Sequence, residues 1–110
     1  MQTSYFAKSA KDKNAISIAL KSPDWFEGKE YKKLAPKYWL LKKYKDDGNE
    51  EFYTIQYQKE VLDLLDPKQV YEELGENAIL LCWEKSGKFC HRRLVAKWFK
   101  EKLGIEIKEL

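Results

Sequence analysis

Hydrophobic positions along this chain follow two rhythms, a period of two and a period near 3.6, and the switches between them mark strands and helices. Thr3 to Ala7 is a short extended candidate. Ala15 to Leu20 is a second, with Ile16, Ile18 and Leu20 alternating. Lys21 to Lys33 follows neither rhythm: Ser22-Pro23-Asp24 and Gly28 supply turn chemistry, while Trp25, Phe26 and Tyr31 act as hydrophobic plugs of a structured loop.

The longer period then takes over. A helix is predicted from Ala35-Pro36, with proline in its first turn, to Asp47-Gly48, burying Tyr38, Trp39 and Leu41. A second helix should run from Glu51 to Leu65 with Ile55, Val61, Leu62 and Leu65 inward. Asp66-Pro67-Lys68-Gln69 reads as a new start, with Asp66 accepting from free amides and Gln69 reaching back; this short helix ends at Gly75.

Ala78 to Trp83 is an unbroken apolar run of strand length, as expected of a central strand covered on both faces. After a loop through Ser86-Gly87, His91 to Leu103 sets Leu94, Val95, Trp98 and Leu103 on one helical face and Lys97, Lys100 and Glu101 on the other. Gly104 ends that helix. Ile105 to Lys108 alternates like an edge strand, completing a parallel β-loop-α-β crossover with the central strand. The sum is an α/β fold: a single domain over residues 1–110, with a small, mainly parallel sheet of about four strands flanked by helices. Open sheets of this kind take ligands beyond the carboxyl ends of their strands, which directs attention to Cys82 through Cys90.

Composition narrows the function classes. With 110 residues, 44% of them hydrophobic, one core is expected, and no repeat or linker divides the chain. A net charge of +3, from 21 basic and 18 acidic residues interspersed, is too mild to require nucleic acid as partner. The N-terminus lacks a basic flank followed by a long apolar run, and no stretch is long enough to span a bilayer, so no membrane partner and a cytoplasmic location are expected. Two cysteines are too few for a disulfide scaffold, and free thiols are the expectation.

The chemistry is concentrated. Of the 21 basic residues only Arg92 and Arg93 are arginine, and the one histidine, His91, and both cysteines, Cys82 and Cys90, lie in the same short stretch. Arginine's planar fork suits bidentate contact with carboxylate or phosphate, so Arg92 is the candidate anion-binding group for a small anionic ligand. Cys90 or Cys82 is the candidate nucleophile, and Glu84 and His91 the groups that orient it or move protons. The plainer reading has Arg92 pairing with Glu84 to pin the loop, His91 satisfying a backbone carbonyl and the thiols packing as small hydrophobes.

Other chemistries fit less well. Adjacent Cys90 and His91 diverge on a regular helix and no Cys-x2-Cys pair occurs, so no metal and no cofactor are expected. The residues six positions after Cys82 and Cys90 are Lys88 and Ala96, not the arginine of a phosphatase loop, and Gly87 is too isolated for a Walker loop. Lysines 29, 32, 33, 37, 42, 43 and 45, interleaved with Tyr31, Tyr38, Trp39 and Tyr44, define the competing class: a non-enzymatic module binding nucleic acid or protein, in which the Cys-His-Arg motif braces the fold.

The segment Leu80-Leu81-Cys82-Trp83-Glu84-Lys85-Ser86-Gly87-Lys88-Phe89-Cys90-His91-Arg92 resembles the signature of domain-of-unknown-function family 488: an apolar strand, Cys-x-Glu, a short loop and Cys-His-Arg opening a helix. Thr3-Ser4-Tyr5-Phe6, Ile16-Ser17-Ile18 and Leu34-Ala35-Pro36 look like a small-protein branch of that family. The resemblance implies an α/β fold and a pocket around Cys82, Glu84, Cys90, His91 and Arg92, with Ser4 and Tyr5 of the first strand joining the anion site. Larger branches carry an acidic residue and an arginine on an early strand; this chain has no arginine before Arg92, and Lys21 is the nearest substitute.

Overall fold

Strands distant in sequence assemble the sheet. In the computed structural model, which describes residues 1–110, five parallel strands lie in the order β3-β2-β4-β1-β5. They are β1 (Gln2–Tyr5), β2 (Ala15–Ser17), β3 (Lys29–Glu30), β4 (Ile79–Cys82) and β5 (Lys108–Glu109). The apolar run does form the central strand: every residue of β4 is buried, paired to β1 on one side and to β2 on the other. The expected four-strand sheet gains β3, a two-residue strand within the structured loop. The C-terminal strand is shifted and pairs with β1, so the crossover from β4 steps over one strand.

Five helices accompany the sheet: α1 (Phe6–Ser9), α2 (Tyr38–Asp47), α3 (Glu50–Glu60), α4 (Pro67–Leu74) and α5 (His91–Leu103). Their ends follow local chemistry. Asn49 accepts from the Phe52 amide at 3.0 Å to cap α3, and Asp66 accepts from the Lys68 amide at 3.0 Å to cap α4. Gly48 and Gly104 close α2 and α5 in the left-handed conformation. Gln69 does not reach back; it donates forward to Glu73.

The pleat of β4 divides the interior. Leu80 enters the larger core with Ile18, Leu34, Leu40, Tyr57, Val95 and Phe99, whereas Ile79 and Leu81 face a smaller one with Phe6, Ala15 and Ala19. Three buried faces differ from expectation. In α2 the inward residue is Leu40, while Tyr38 and Trp39 are exposed; in α3 it is Tyr53 and Tyr57, not Ile55. Large aromatics carry polar tips, and tertiary context set which of them turned inward. Tyr57 is wholly buried because its hydroxyl donates to the Leu34 carbonyl at 2.6 Å. In α5 the buried face is Val95, Trp98 and Phe99, with Leu94 and Leu103 only partly covered. No helix is long and apolar enough to cross a membrane.

Candidate functional site

The site begins where β4 runs out of partners. The chain leaves the sheet after Cys82, loops through residues 83–89, and returns at Cys90, the N-cap of α5. Cys90 thereby lies against the end of β4. The expectation of two free thiols is overturned: Cys82 and Cys90 are joined by a disulfide, and no free cysteine remains. Both side chains are buried, so the return of the loop brings the sulfurs together away from water.

His91 follows from the edge of β2. The amide of Ile18 still donates to Leu81 in the sheet ladder, but its carbonyl lies one step beyond the strand and needs a donor. His91 Nε2 supplies it at 2.7 Å. A carbonyl oxygen only accepts, so Nε2 carries the hydrogen and Nδ1 keeps a lone pair, which faces Cys90 Sγ at 3.7 Å. Burial pushes His91 down to about 4, with the Ile18 bond opposing and the Arg92 charge adding to the effect, so the ring is neutral. Tyr57 meets it edge to face at 5.6 Å.

Arg92 faces the opposite way along the first turn of α5 and is 0% exposed. Its Nε and Nη2 donate to the two carboxylate oxygens of Glu109 at 2.8 and 3.2 Å, and Nη1 donates to Cys82 Sγ at 3.1 Å. Glu109 also accepts from Thr3 Oγ1 and the Gly87 amide. Burial alone would raise the Glu109 carboxyl, but these donors and the guanidinium charge outweigh it and hold it below 4.5. The partner of Arg92 is therefore Glu109, not Glu84. A guanidinium so enclosed and engaged presents no free fork to a ligand.

Above this floor lies a hollow of about 800 Å³ at the carboxyl ends of β2 and β4. Tyr38, Tyr44, Tyr53, Trp83 and Phe89 supply aromatic wall, and Lys21, Lys45 and Glu84 the charged groups. Tyr44 packs 5.4 Å from Tyr53 and 5.2 Å from Phe89, while Trp83 is fixed by donating Nε1–H to the Lys21 carbonyl at 2.8 Å. Burial, then the carboxylates of Glu50 and Glu84, raises the Tyr44 hydroxyl, keeping it a neutral donor at this wall.

Of the residues singled out from sequence, Cys82, Glu84, Cys90 and His91 all line the hollow. Arg92 touches Cys82 from beneath. Ser4 and Tyr5 do not line it: Ser4 is fully buried with its hydroxyl 2.6 Å from that of Ser9, and Tyr5 pairs in register with Cys82. Lys45 and Tyr53 were not assigned to the site from sequence, and Lys21 was named only as the nearest substitute for an early arginine. Lys45 and Tyr44 were visible in the sequence as the basic-aromatic end of α2.

The fold and site define an α/β protein with a parallel sheet, a Cys-x-Glu strand end and a Cys-His-Arg helix start. A family model described as "Active DUF488-N3 subclade" matches residues 8–103, all but the two termini, and the chain belongs to that family. No curated protein and no solved structure matches the chain.

Proposed function

We propose that this domain binds a small, flat, anionic ligand of nucleotide type in the hollow at the sheet's carboxyl edge. The observation that carries the reading is the pairing of aromatic walls with two lysines free of any ion pair, Lys21 and Lys45, above the Cys82, Cys90 and His91 floor. Aromatic faces stack on a planar base with little sequence or substituent preference, and exposed ammonium groups attract phosphate as point charges. The anion contact passes from Arg92 to these lysines, because Arg92 is spent on Glu109. Glu84, on the same rim, is the acceptor available to base or sugar hydrogens.

Any reaction at the floor requires the dithiol form. In the bridged chain neither sulfur is a nucleophile; after reduction, the Cys90 thiol stands 3.7 Å from the unprotonated Nδ1 of His91, an acceptor for its hydrogen. Arg92 braces the fold through Glu109 and His91 braces it through the Ile18 carbonyl, while the hollow above them is the ligand space.

The test is calorimetric titration of the purified chain with AMP, ATP and inorganic pyrophosphate. Saturable AMP and ATP binding is expected, weakened about tenfold in Lys21→Ala/Lys45→Ala, the loss of roughly 1.4 kcal/mol from two exposed charges. Tryptophan fluorescence should report the same saturation, and the change should be lost in Trp83→Phe, since Trp83 lines the hollow. Absence of saturable binding by either nucleotide overturns the reading, and binding of pyrophosphate alone would remove its aromatic half.

A further inference from the structure

Three metal-ligating side chains meet at one point on the floor of the hollow. Cys82 Sγ, Cys90 Sγ and the His91 ring offer ligand atoms all within 4.8 Å of one another, and all three residues are buried. We propose that the reduced chain holds a borderline-soft divalent cation of the zinc class on Cys82, Cys90 and His91 Nδ1, with the fourth position open to the hollow.

Four features support this assignment. The first is the tautomer: donation of Nε2–H to the Ile18 carbonyl leaves Nδ1 as a buried lone pair aimed at sulfur, the arrangement by which a backbone carbonyl orients a ligating histidine. The second is reach. A tetrahedral ion with metal-sulfur bonds of about 2.3 Å and a metal-nitrogen bond of about 2.0 Å sets sulfur and nitrogen roughly 3.5 Å apart. The Cys90 to His91 separation is 3.7 Å.

The third is charge. Two thiolates balance a divalent cation, and Arg92, the nearest other charge, is neutralised by Glu109 while Nη1 donates to Cys82 Sγ as an outer hydrogen bond. The fourth is access. The three residues line the hollow, so the side of the ion not covered by protein faces the ligand space; three protein ligands with one open position is the pattern of catalytic rather than structural zinc. The helical divergence of Cys90 and His91 is avoided because Cys90 is the N-cap, in extended conformation, and not a helical residue.

Metal entry requires reduction first. With a water-soluble trialkylphosphine, phosphorus attacks one sulfur and the S–S bond breaks; water gives its oxygen to phosphorus and its two protons to the thiols, leaving phosphine oxide. Binding the cation then releases those two protons to solvent. Only the open fourth position rests on the hollow being a ligand site; the three-ligand set stands without it.

The experiment uses cobalt(II) as the spectroscopic probe on the full chain. The phosphine-reduced protein is expected to take up one equivalent, with a near-ultraviolet thiolate-to-cobalt charge-transfer band of two-sulfur intensity and the visible bands of a four-coordinate site. Zinc(II) should bleach both. The untreated disulfide chain, identical in sequence, should show neither band. Cys82→Ser should lose about half the charge-transfer intensity, and His91→Gln, which keeps a donor for the Ile18 carbonyl, should weaken cobalt uptake at least tenfold while circular dichroism stays native. Azide should shift the visible bands by entering the open position. Absence of the bands in reduced protein, or their persistence in Cys82→Ser/Cys90→Ser, overturns the site; visible bands indifferent to azide overturn its open position. The nucleotide titrations, made on the disulfide chain, fail or succeed independently of all of these.

Discussion

Arg92 and Glu109 meet through two hydrogen bonds of 2.8 and 3.2 Å, joining the first turn of α5 to the last strand of the sheet with the guanidinium wholly enclosed. The pair closes the domain, since Glu109 also receives Thr3 of β1 and the Gly87 amide of the loop. Glu109→Ala leaves a buried cation with only a sulfur partner. Breaking a buried pair from one side costs about 3–5 kcal/mol, and the 23% exposure of the Glu109 side chain lets water recover part of it. A loss of roughly 2–4 kcal/mol is expected in urea unfolding. A change within about 0.5 kcal/mol, the range of ordinary surface substitutions, would show the pair to be dispensable.

Tyr57 provides a second test, of the larger core. Its ring is fully buried and its hydroxyl donates to the Leu34 carbonyl at 2.6 Å, tying α3 to the turn before α2. Tyr57→Phe keeps the ring and strands the carbonyl, at an expected cost of about 1–3 kcal/mol. Burial, with Tyr53 adding to it, also drives the Tyr57 hydroxyl well above its ordinary value, so ultraviolet titration should find it resisting ionisation as long as the chain is folded.

What the sequence disclosed about this fold was whatever local chemistry decides. The apolar run around Leu80 reads as a central strand, and Asp66, Gly48 and Gly104 set helix ends through their own side chains or backbone freedom, whereas the Asn49 cap of α3 was not read from the sequence. Two-residue edge strands are invisible to a period of two, which explains β3. Convergence of Cys82, Glu84, Cys90 and His91 was legible because a strand end, a short loop and a helix start keep them together. The partner of Arg92 was not, because it depends on β5 joining β1 from the far end of the chain. A signal for it existed: continuing the alternation of Ile105 and Ile107 one step places Glu109 on the inward face. The disulfide was hidden for a different reason, since spacing alone says nothing of where two sulfurs point.

Reduction of the Cys82–Cys90 bridge should cost stability as well as free the thiols. Opening a loop of eight residues' separation returns entropy to the unfolded chain worth about 2–3 kcal/mol. The urea midpoint should fall accordingly on phosphine treatment, and Cys90→Ser should reproduce the fall without reductant. An unchanged midpoint would mean that the bridge adds nothing to the folded state beyond packing.

Acid should weaken the disulfide-bonded chain through His91. In the folded state burial, opposed by the Ile18 bond and reinforced by Arg92, holds the imidazole down to about 4, whereas the unfolded chain protonates it near 6.5. Above the upper value neither state carries the proton and the full stability is present. As pH falls from 6.5 toward 4 only the unfolded chain binds it, so stability drops by about 1.4 kcal/mol per unit, reaching roughly 3 kcal/mol. Below that window Glu109 acts in the same direction, its folded carboxyl lying under 4.5 and its contribution vanishing as it protonates. Urea midpoints at about pH 7.5, 6.5, 5, 4 and 3, taken on wild type and His91→Gln, separate the two groups. The wild-type midpoint should hold above about pH 6.5 and fall below it, and the variant's should fall only below about pH 4.5. Equal slopes in both proteins between about pH 6.5 and 5 would assign the acid sensitivity to groups other than this histidine.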